Sequence, residues 1–212
     1  MEAEPLLTLA RWLSPSYPTG GFNFSGGLET AVAEGQTGPE GLEAWLAGLL
    51  AHGGPRNDAI FLHLAHRAAP GELAALAERA EAMAISAERL AEMRQQGAAF
   101  AATTHAARGL DLPDLPYPLA VGRAARLAGL PATPAAALFL QSLASNLVQA
   151  ALRLMPLGQT RGAGIVERLA PLCARLAEET ATAGLDDLGT AAFAADIASL
   201  RHEVLEPRMF RS

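Results

Sequence analysis

The stretch SPSYPTGGFNFSGGLE, residues 14–29, decides how this chain of 212 residues is organised. It contains two prolines, four glycines and three aromatic residues, and segments with the apolar spacing of helices lie on both sides. Proline fixes φ, whereas glycine allows a positive φ or a close approach of two backbones. We therefore expect this segment, called the aromatic loop below, to turn sharply and to keep its rings in fixed positions.

The rest of the chain is predicted to be helical, because apolar residues recur at helical intervals between clear stop signals and no strand pattern is present. A capping box over residues 37–40 and a cap at Asn57 or Asp58 are expected to start two helices, and Pro171 is expected to kink or split another. The expected helices cover residues 6–13, 28–34, 37–53, 57–69, 72–84, 86–108, 119–127, 134–154, 165–183 and 191–205. The predicted fold is an all-α, single-domain bundle of roughly eight to ten helices over residues 1–212.

The composition restricts the classes of function. Hydrophobic residues make up 50% of the chain, charged residues make up 18%, and the net charge is -6. These values predict a soluble globular protein with no electrostatic basis for binding nucleic acid. All sixteen basic residues are Arg, so neither a P-loop lysine nor a Schiff-base lysine is available. No nucleotide cofactor is expected.

The cysteine content and the apolar segments predict the compartment. Cys173 is the only cysteine, so no internal disulfide can form. The N-terminal segment MEAEPLLTLARWL is acidic where a signal peptide is positively charged. The apolar helix expected over residues 134–154 carries polar side chains that are costly in lipid, among them Gln141 and Gln149. We expect a cytoplasmic protein without a membrane span.

Three candidate sites for metal binding or catalysis are weak. His63 and His66 lie three residues apart and could face a metal ion, with Asp58 and His52 as further ligands, but zinc and nickel sites usually show more convergent ligands. Ser25 lies in NFSGG, whereas a nucleophile elbow needs G-x-S-x-G after a strand, so a helix cap is favoured. Cys173 lies in an apolar helical segment, which is typical of a buried thiol. No catalytic residue, metal site or cofactor is predicted; a hydrolase using Ser25 or Cys173 and a nickel carrier using His63 and His66 stay as alternatives.

The aromatic loop and the C-terminus are the candidates for protein binding. Phe22 and Phe24, with Tyr17 nearby, either close the end of a helical bundle or form a protein-binding anchor. The C-terminal tail, residues 207–212, combines arginines with a Met-Phe pair and follows the last expected helix. It is either a solvated end or a segment that is mobile alone and docks on a partner. In the docking interpretation, truncation leaves the fold and its melting unchanged.

Three separated segments carry a family resemblance. They are the aromatic loop, the segment NLVQAALRLMPLGQTRG at residues 146–162, and the segment DIASLRHEVLEPRMFRS at residues 196–212. The loop follows the pattern Ser-Pro-x-x-Pro-x-Gly-x-Phe-x-x-x-x-Gly-Leu-Glu. The chain resembles the urease accessory protein UreF family over its whole length, and three matches in order are more specific than one glycine-rich loop.

The resemblance implies an all-α, dimeric protein that acts with UreD (also called UreH) and the GTPase UreG. It implies a role as scaffold and chaperone in nickel insertion into apo-urease, and not as an enzyme. In this family UreG supplies GTP hydrolysis and the metal ligands. The family's C-terminal segment becomes ordered against UreD, and the loop helps to form the surface that UreG recognises.

Matching residue by residue assigns partner-binding positions by resemblance. On the loop and on the C-terminal segment 196–212 these are Pro18, Gly21, Phe22, Phe24, Ser25, Gly27, Leu28, Glu29, Arg201, His202, Glu203, Arg208 and Phe210. Many family members carry Tyr where this chain has Phe24, so a hydrogen bond from that hydroxyl is lost here.

Overall fold

Ten α-helices make up the fold over residues 3–212, the part of the chain that this computed structural model describes, and no β-strand occurs there. Residues 1 and 2 of the acidic N-terminal segment lie outside the described part. The all-α prediction is confirmed. In chain order the helices are α1 Ala3–Trp12, α2 Leu28–Ala33, α3 Leu42–His52, α4 Gly54–Arg67, α5 Leu73–Ala82, α6 Ala87–Arg108, α7 Tyr117–Leu127, α8 Ala132–Leu154, α9 Gln159–Glu179 and α10 Phe193–His202.

Helix α8 connects two apolar clusters. Its first half, with Phe139, packs in a cluster formed with α1, α4, α5, α6 and α7. Its second half, with Leu147, packs in a cluster formed with α2, α3 and α9. The aromatic loop joins the same two clusters, because Tyr17 belongs to the first and Leu28 to the second. The loop is therefore fixed between the two halves of the core.

The apolar character of α8 follows from this central position. By length and composition alone the helix could cross a membrane, yet half of its most apolar window is buried inside the protein. Small and aliphatic residues at intervals of three or four, such as Leu140, Ala144, Leu147 and Ala151, form the buried face. The polar positions Gln141, Ser145 and Gln149 are half-buried or exposed.

Two predicted helix starts are wrong, because none of the expected capping side chains bonds to the start of its helix. Helix α3 begins at Leu42, and the buried hydroxyl of Thr37 makes no hydrogen bond within the described residues. Helix α4 begins at Gly54 with proline in its first turn, where the fixed φ of proline fits. Asn57 accepts a bond from the backbone of a distant loop, and Asp58 pairs with an arginine of α6.

The expected split at Pro171 is also wrong, since α9 is assigned as one helix from Gln159 to Glu179. Pro171 is exposed, so the carbonyl that its missing N–H leaves unpaired lies where water can bond to it. The buried face of Leu169, Cys173 and Leu176 continues past the proline without a change of spacing. Packing therefore keeps the helix continuous.

Helices α4 and α7 approach each other closely at a glycine. A Cβ atom added to Gly122 would lie 2.2 Å from the carbonyl oxygen of Leu62, which is far inside van der Waals contact. A Cβ atom added to Gly97 of α6 would likewise lie 2.1 Å from the carbonyl oxygen of Leu115. Backbone carbonyls cannot move aside as a flexible side chain can, so both positions require glycine.

We expect Gly122→Ala to lower the free energy of unfolding by about 2–3 kcal/mol, because the added methyl group forces α4 and α7 apart. The matched control is Gly48→Ala in α3, where nothing lies within 4 Å of the added Cβ. There the higher helix propensity of alanine should stabilise the protein by about 0.5–1 kcal/mol. Urea unfolding measures both values, and equal midpoints for the two variants would contradict the predicted contact.

Candidate functional site

The C-terminal tail packs on the aromatic loop. The N–H of Ser25 donates to the Ser212 carbonyl at 2.7 Å, and the Ser25 hydroxyl donates to the same oxygen. Phe210 is only 3% exposed, and Ser212 is also buried. The prediction that the tail is mobile in the isolated chain is therefore wrong. The sequence suggested mobility because no helical pattern continues beyond residue 207, but the tail finds its hydrogen-bond partners on the loop and on α2.

The carboxylate of Glu29 is the main anchor of the tail. One oxygen accepts the N–H of Met209 at 2.7 Å, and the other accepts the N–H of Phe210 at 2.9 Å and faces His202 Nε2 at 3.1 Å. Burial raises the pKa of Glu29, but the two tail N–H groups and His202 together outweigh it. The result is a pKa below the ordinary value of 4.5, so Glu29 is bound as a carboxylate.

His202 connects Glu29 to a second carboxylate. Its ring is fully buried, and Nδ1 lies 2.7 Å from an oxygen of Glu88 in α6. The guanidinium of Arg208 donates to the other oxygen of Glu88. Glu29, Glu88, His202 and Arg208, called the His202 network below, thus join α2, α6, α10 and the tail. Sequence matching placed His202 at the partner surface, whereas its buried ring positions the tail.

The His202 network does not have the geometry of a metal site. Its two carboxylates bond to opposite edges of one imidazole ring, so they do not converge on a point that one ring nitrogen could also reach. Over residues 3–212, no group of three or more His, Cys, Asp or Glu side chains is arranged to hold a metal ion. These contacts are those of an ion-pair network.

The two histidines considered as nickel ligands each bond to a different backbone carbonyl. Nε2 of His63 lies 3.0 Å from the Ala177 oxygen in α9, and Nε2 of His66 lies 2.9 Å from the Leu130 oxygen. Burial lowers the pKa of His63, which favours the neutral ring. His63 thus connects α4 to α9, and His66 connects α4 to the segment between α7 and α8.

The three aromatic rings of the loop divide into two groups. Tyr17 and Phe24 are buried, and the Tyr17 hydroxyl bonds to Thr104 of α6 at 3.0 Å. Phe22 is 62% exposed, whereas Phe24 is 5% exposed. Tyr17 and Phe24 therefore close the end of the bundle, and Phe22 is the ring that can contact another protein.

Close contact with α10 explains the glycine at position 27. Gly27 has a φ of 80°, and an added Cβ would lie 2.6 Å from the backbone nitrogen of Ser199. Both the positive φ and the lack of space exclude other residues. Gly21, by comparison, approaches only side-chain atoms, the nearest belonging to Asn146 at 3.0 Å.

Arg153, at the end of α8, connects the loop to the tail and was missed by sequence reasoning. It donates to the carbonyl oxygen of Phe22 at 2.8 Å, and its guanidinium lies 4.1 Å from the centroid of the Phe210 ring. This cation–π contact covers the ring on its outer side. The only signal in the sequence was a lone arginine in the last turn of an apolar helix.

Two more of the residues that the family resemblance assigned to partner binding anchor α10 on its exposed side. Arg201 pairs with Glu34 at 2.8 Å, and the Glu203 carboxylate accepts the backbone N–H of Ala87 at 2.7 Å. Pro18 is exposed near the turn of the loop. These three residues are accessible, in contrast to Glu29 and His202.

Neither candidate nucleophile is placed for attack on a substrate. The Ser25 hydroxyl is fully buried, and it accepts the Glu29 N–H at 3.3 Å in the first turn of α2, where Gly27 occupies the cap position itself. Cys173 is buried in α9, and burial raises the pKa of its thiol to about 11. A thiol with that pKa is a poor nucleophile near neutral pH.

A cavity of about 140 Å³ lies beside the aromatic loop. Its polar wall is a buried ion cluster in which Arg89 contacts Asp58 at 2.5 Å and Glu92 at 3.0 Å. Glu92 also accepts a bond from Gln96, whose amide oxygen lies beneath Gly21. Burial raises the pKa of Asp58 although Arg89 acts in the opposite direction. Through Gln96, the ion cluster is therefore in contact with the aromatic loop at Gly21.

Fold and site together define an all-α protein that presents a composite surface made by a loop and the C-terminal tail. The family model described as UreF matches residues 36–170. A urease accessory protein UreF of Cereibacter sphaeroides is 48% identical over 211 residues, which cover 99% of this chain and 100% of that relative. The urease accessory protein UreF of Ruegeria pomeroyi is 44% identical over 211 residues, covering 99% of this chain and 97% of the relative. The chain belongs to the urease accessory protein UreF family, which confirms the resemblance.

We expect Glu29→Gln to lower the free energy of unfolding by about 2 kcal/mol near neutral pH, because an amide offers one acceptor and places its NH₂ against a donor. Folding lowers the Glu29 pKa, so the carboxylate stabilises the fold above the unfolded-state pKa, and this contribution is lost as the pH falls through the folded-state pKa. The difference between wild type and variant should therefore shrink in acid.

Urea unfolding over a pH series measures this difference. The matched control is Glu43→Gln, which removes an exposed carboxylate paired with Arg168 and should change stability by less than about 1 kcal/mol. A pH-independent difference for Glu29→Gln would contradict the assigned charge.

Deleting residues 208–212 should destabilise the protein, in contrast to the expectation from sequence. Phe210→Ala alone is expected to cost about 2–3 kcal/mol, because it removes a buried ring. Met209→Ala is the control in the same tail, since that side chain is 59% exposed, and it should change stability by less than about 0.5 kcal/mol. Thermal unfolding of both variants tests the packing, and equal melting temperatures would mean that the tail contributes nothing to the fold.

Proposed function

We propose that this protein is a non-catalytic scaffold and chaperone of urease maturation. It acts in the cytoplasm with UreD (UreH) and the GTPase UreG during nickel insertion into apo-urease. Membership of the urease accessory protein UreF family supports this role, and the composite surface of loop and tail supports its mode of action. GTP hydrolysis and the metal ligands are assigned to UreG, and the working form is a homodimer.

The observation that carries the proposal is an exposed apolar face on α10 and on the turn that follows it. Phe193, Ile197, Leu200 and Val204 follow one another at intervals of four, three and four residues and are all exposed, Val204 by 82%. We call these four residues the α10 surface. The opposite face of α10, with Ala198 and His202, is buried. Large exposed apolar faces are unusual in a protein without a partner, so this one supports protein binding.

The tail follows the α10 surface in the chain and packs on the aromatic loop. The side chain of Met209 in the tail and the ring of Phe22 in the loop are also exposed. The proposed contacts therefore divide between two groups of residues. Exposed side chains touch the partners, whereas Phe24, Glu29 and Phe210 are buried and hold the exposed ones in position. We assign UreD to the α10 surface, next to the tail, and UreG to the aromatic loop around Phe22.

Co-purification from cells that express tagged protein with UreD and UreG tests both assignments. Ile197→Asp should remove UreD, because it places a charge in an apolar contact. Phe22→Ala should keep UreD and remove or strongly weaken UreG, since aromatic anchors often carry much of an interface energy. Both side chains are exposed, so the isolated variants should melt as wild type does.

Leu127→Asp on α7 is the matched control, because Leu127 and Ile197 are exposed to a similar degree, 44% and 47%. It should retain both partners. Retention of UreD by Ile197→Asp, with wild-type yield and melting, would refute the assignment of the α10 surface. Failure of the wild-type protein to capture either partner would refute the scaffold role itself.

A further inference from the structure

We propose that the cavity beside the aromatic loop is a binding site for a small organic cation, an alkylammonium ion whose NH₃⁺ group bonds to Asp58 and whose short apolar chain lies against the apolar lining. Such a site goes beyond the scaffold role, because it belongs to the isolated chain and needs no partner protein. Three observations carry it: the unequal charges of the buried ion cluster, the acceptor atoms left free there, and the size and lining of the cavity.

The charged side chains around the cavity are mostly negative. Among the described residues that line it, Arg89 is the only basic one, and it pairs with both Asp58 and Glu92. Asp196 adds a third carboxylate, which accepts the hydroxyl of Thr190. Burial raises the pKa of Asp58, and the charge of Glu92 acts in the same direction, whereas Arg89 opposes both. One guanidinium is thus shared between two buried carboxylates, so a second cation beside Asp58 would compensate charge that is costly to bury.

Two buried side chains keep an acceptor atom free at the cavity. Asp58 is 4% exposed, and its Oδ2 atom accepts from Arg89, but no group of residues 3–212 bonds to its Oδ1 atom. Gln96 is 6% exposed and donates through Nε2 to Glu92 at 2.9 Å. Because a carboxylate only accepts, this bond fixes the amide orientation and leaves Oε1 of Gln96 free next to Gly21. Neither free oxygen is sealed off by protein atoms, and both side chains line the cavity. The site therefore offers acceptors to a ligand that carries N–H donors.

Apolar side chains form much of the cavity lining and set the size of the ligand. Phe61, Met93, Phe139 and Leu147 line it and are buried. The cavity volume is about 140 Å³, and a cavity of roughly 150 Å³ accommodates a molecule of the size of benzene. A cation of about four to six heavy atoms fits this volume. An anion would meet like charge, and a purely apolar molecule would leave the buried acceptors without donors.

The cavity extends to the surface beside the aromatic loop. Phe22 and Ile85 both line it, and their side chains are 62% and 38% exposed. A small ligand therefore has an entrance between these two residues. Ser199 of α10 also lines the cavity, so a bound cation lies between the loop and α10.

Titration of the purified wild-type protein with n-butylammonium chloride, followed by NMR of the backbone amides, tests the site. We expect saturable shifts at Gly21, Asp58 and Gln96, and a Kd at least about tenfold lower than that of 1-butanol, which has the same chain without the charge. Butyrate should not bind, and sodium chloride at the same concentration corrects for ionic strength. Equal Kd values for n-butylammonium and 1-butanol, or no saturable binding of n-butylammonium, would overturn the proposal, because the cavity would then hold water or any apolar chain.

Two variants locate the bound ion. Asp58→Asn removes the charge at constant size and should weaken n-butylammonium at least about tenfold while leaving 1-butanol unchanged. Since this change also disturbs the pair with Arg89, Ser142→Leu keeps the ion cluster and fills the cavity from α8. It should abolish binding of both molecules with its helices intact by circular dichroism.

Ser145→Leu is the matched control, because Ser145 is also half-buried in α8 but does not line the cavity. It should bind n-butylammonium with the wild-type Kd. Wild-type affinity in Ser142→Leu, or an equal loss in both serine variants, would show that the cation does not occupy this cavity and would refute the site.

Discussion

The buried carboxylate of Glu29 is the interaction on which the site depends. Burying a charge is costly unless hydrogen bonds or an opposite charge compensate it. Here two backbone N–H groups of the tail and the ring of His202 provide that compensation. One charge in α2 therefore holds α10 and the tail, which follow it in the chain by more than 170 residues, because the carboxylate is satisfied only when both are present.

The surface formed by the aromatic loop and the tail depends on contacts between distant parts of the chain. Residues 23 and 25 of the loop contact residues 211 and 212, near the other end of the chain. The loop lies between the two apolar clusters joined by α8, and Arg153 at the end of α8 bonds to Phe22 and covers Phe210. Packing of the central helix thus determines where the exposed ring of Phe22 points.

Local patterns predicted the helices better than the site. The spacing of apolar residues in α8 and α9 follows directly from one-sided burial, and it identified both helices. Asp58 was mistaken for a helix cap because an acidic residue near a helix start fits that role, whereas it pairs with Arg89, which is distant in the chain. Glu88 and Arg153 belong to no motif, and their roles depend on contacts that no sequence window contains. Phe22 and Phe24 are two positions apart with similar chemistry, so only the packing of the tail and the bundle separates the exposed ring from the buried one.

Assembly of the tail on the loop within one chain bears on the scaffold role proposed above. Ordering a flexible segment at the moment of binding reduces the free energy of association. In this protein the ordering accompanies folding, because Phe210 and Glu29 are buried with the core and leave Phe22 and Met209 exposed on a fixed backbone. A partner that contacts these exposed side chains then meets a preorganised surface. The carboxylate of Glu29 holds this surface in place, because it accepts the backbone N–H groups of Met209 and Phe210.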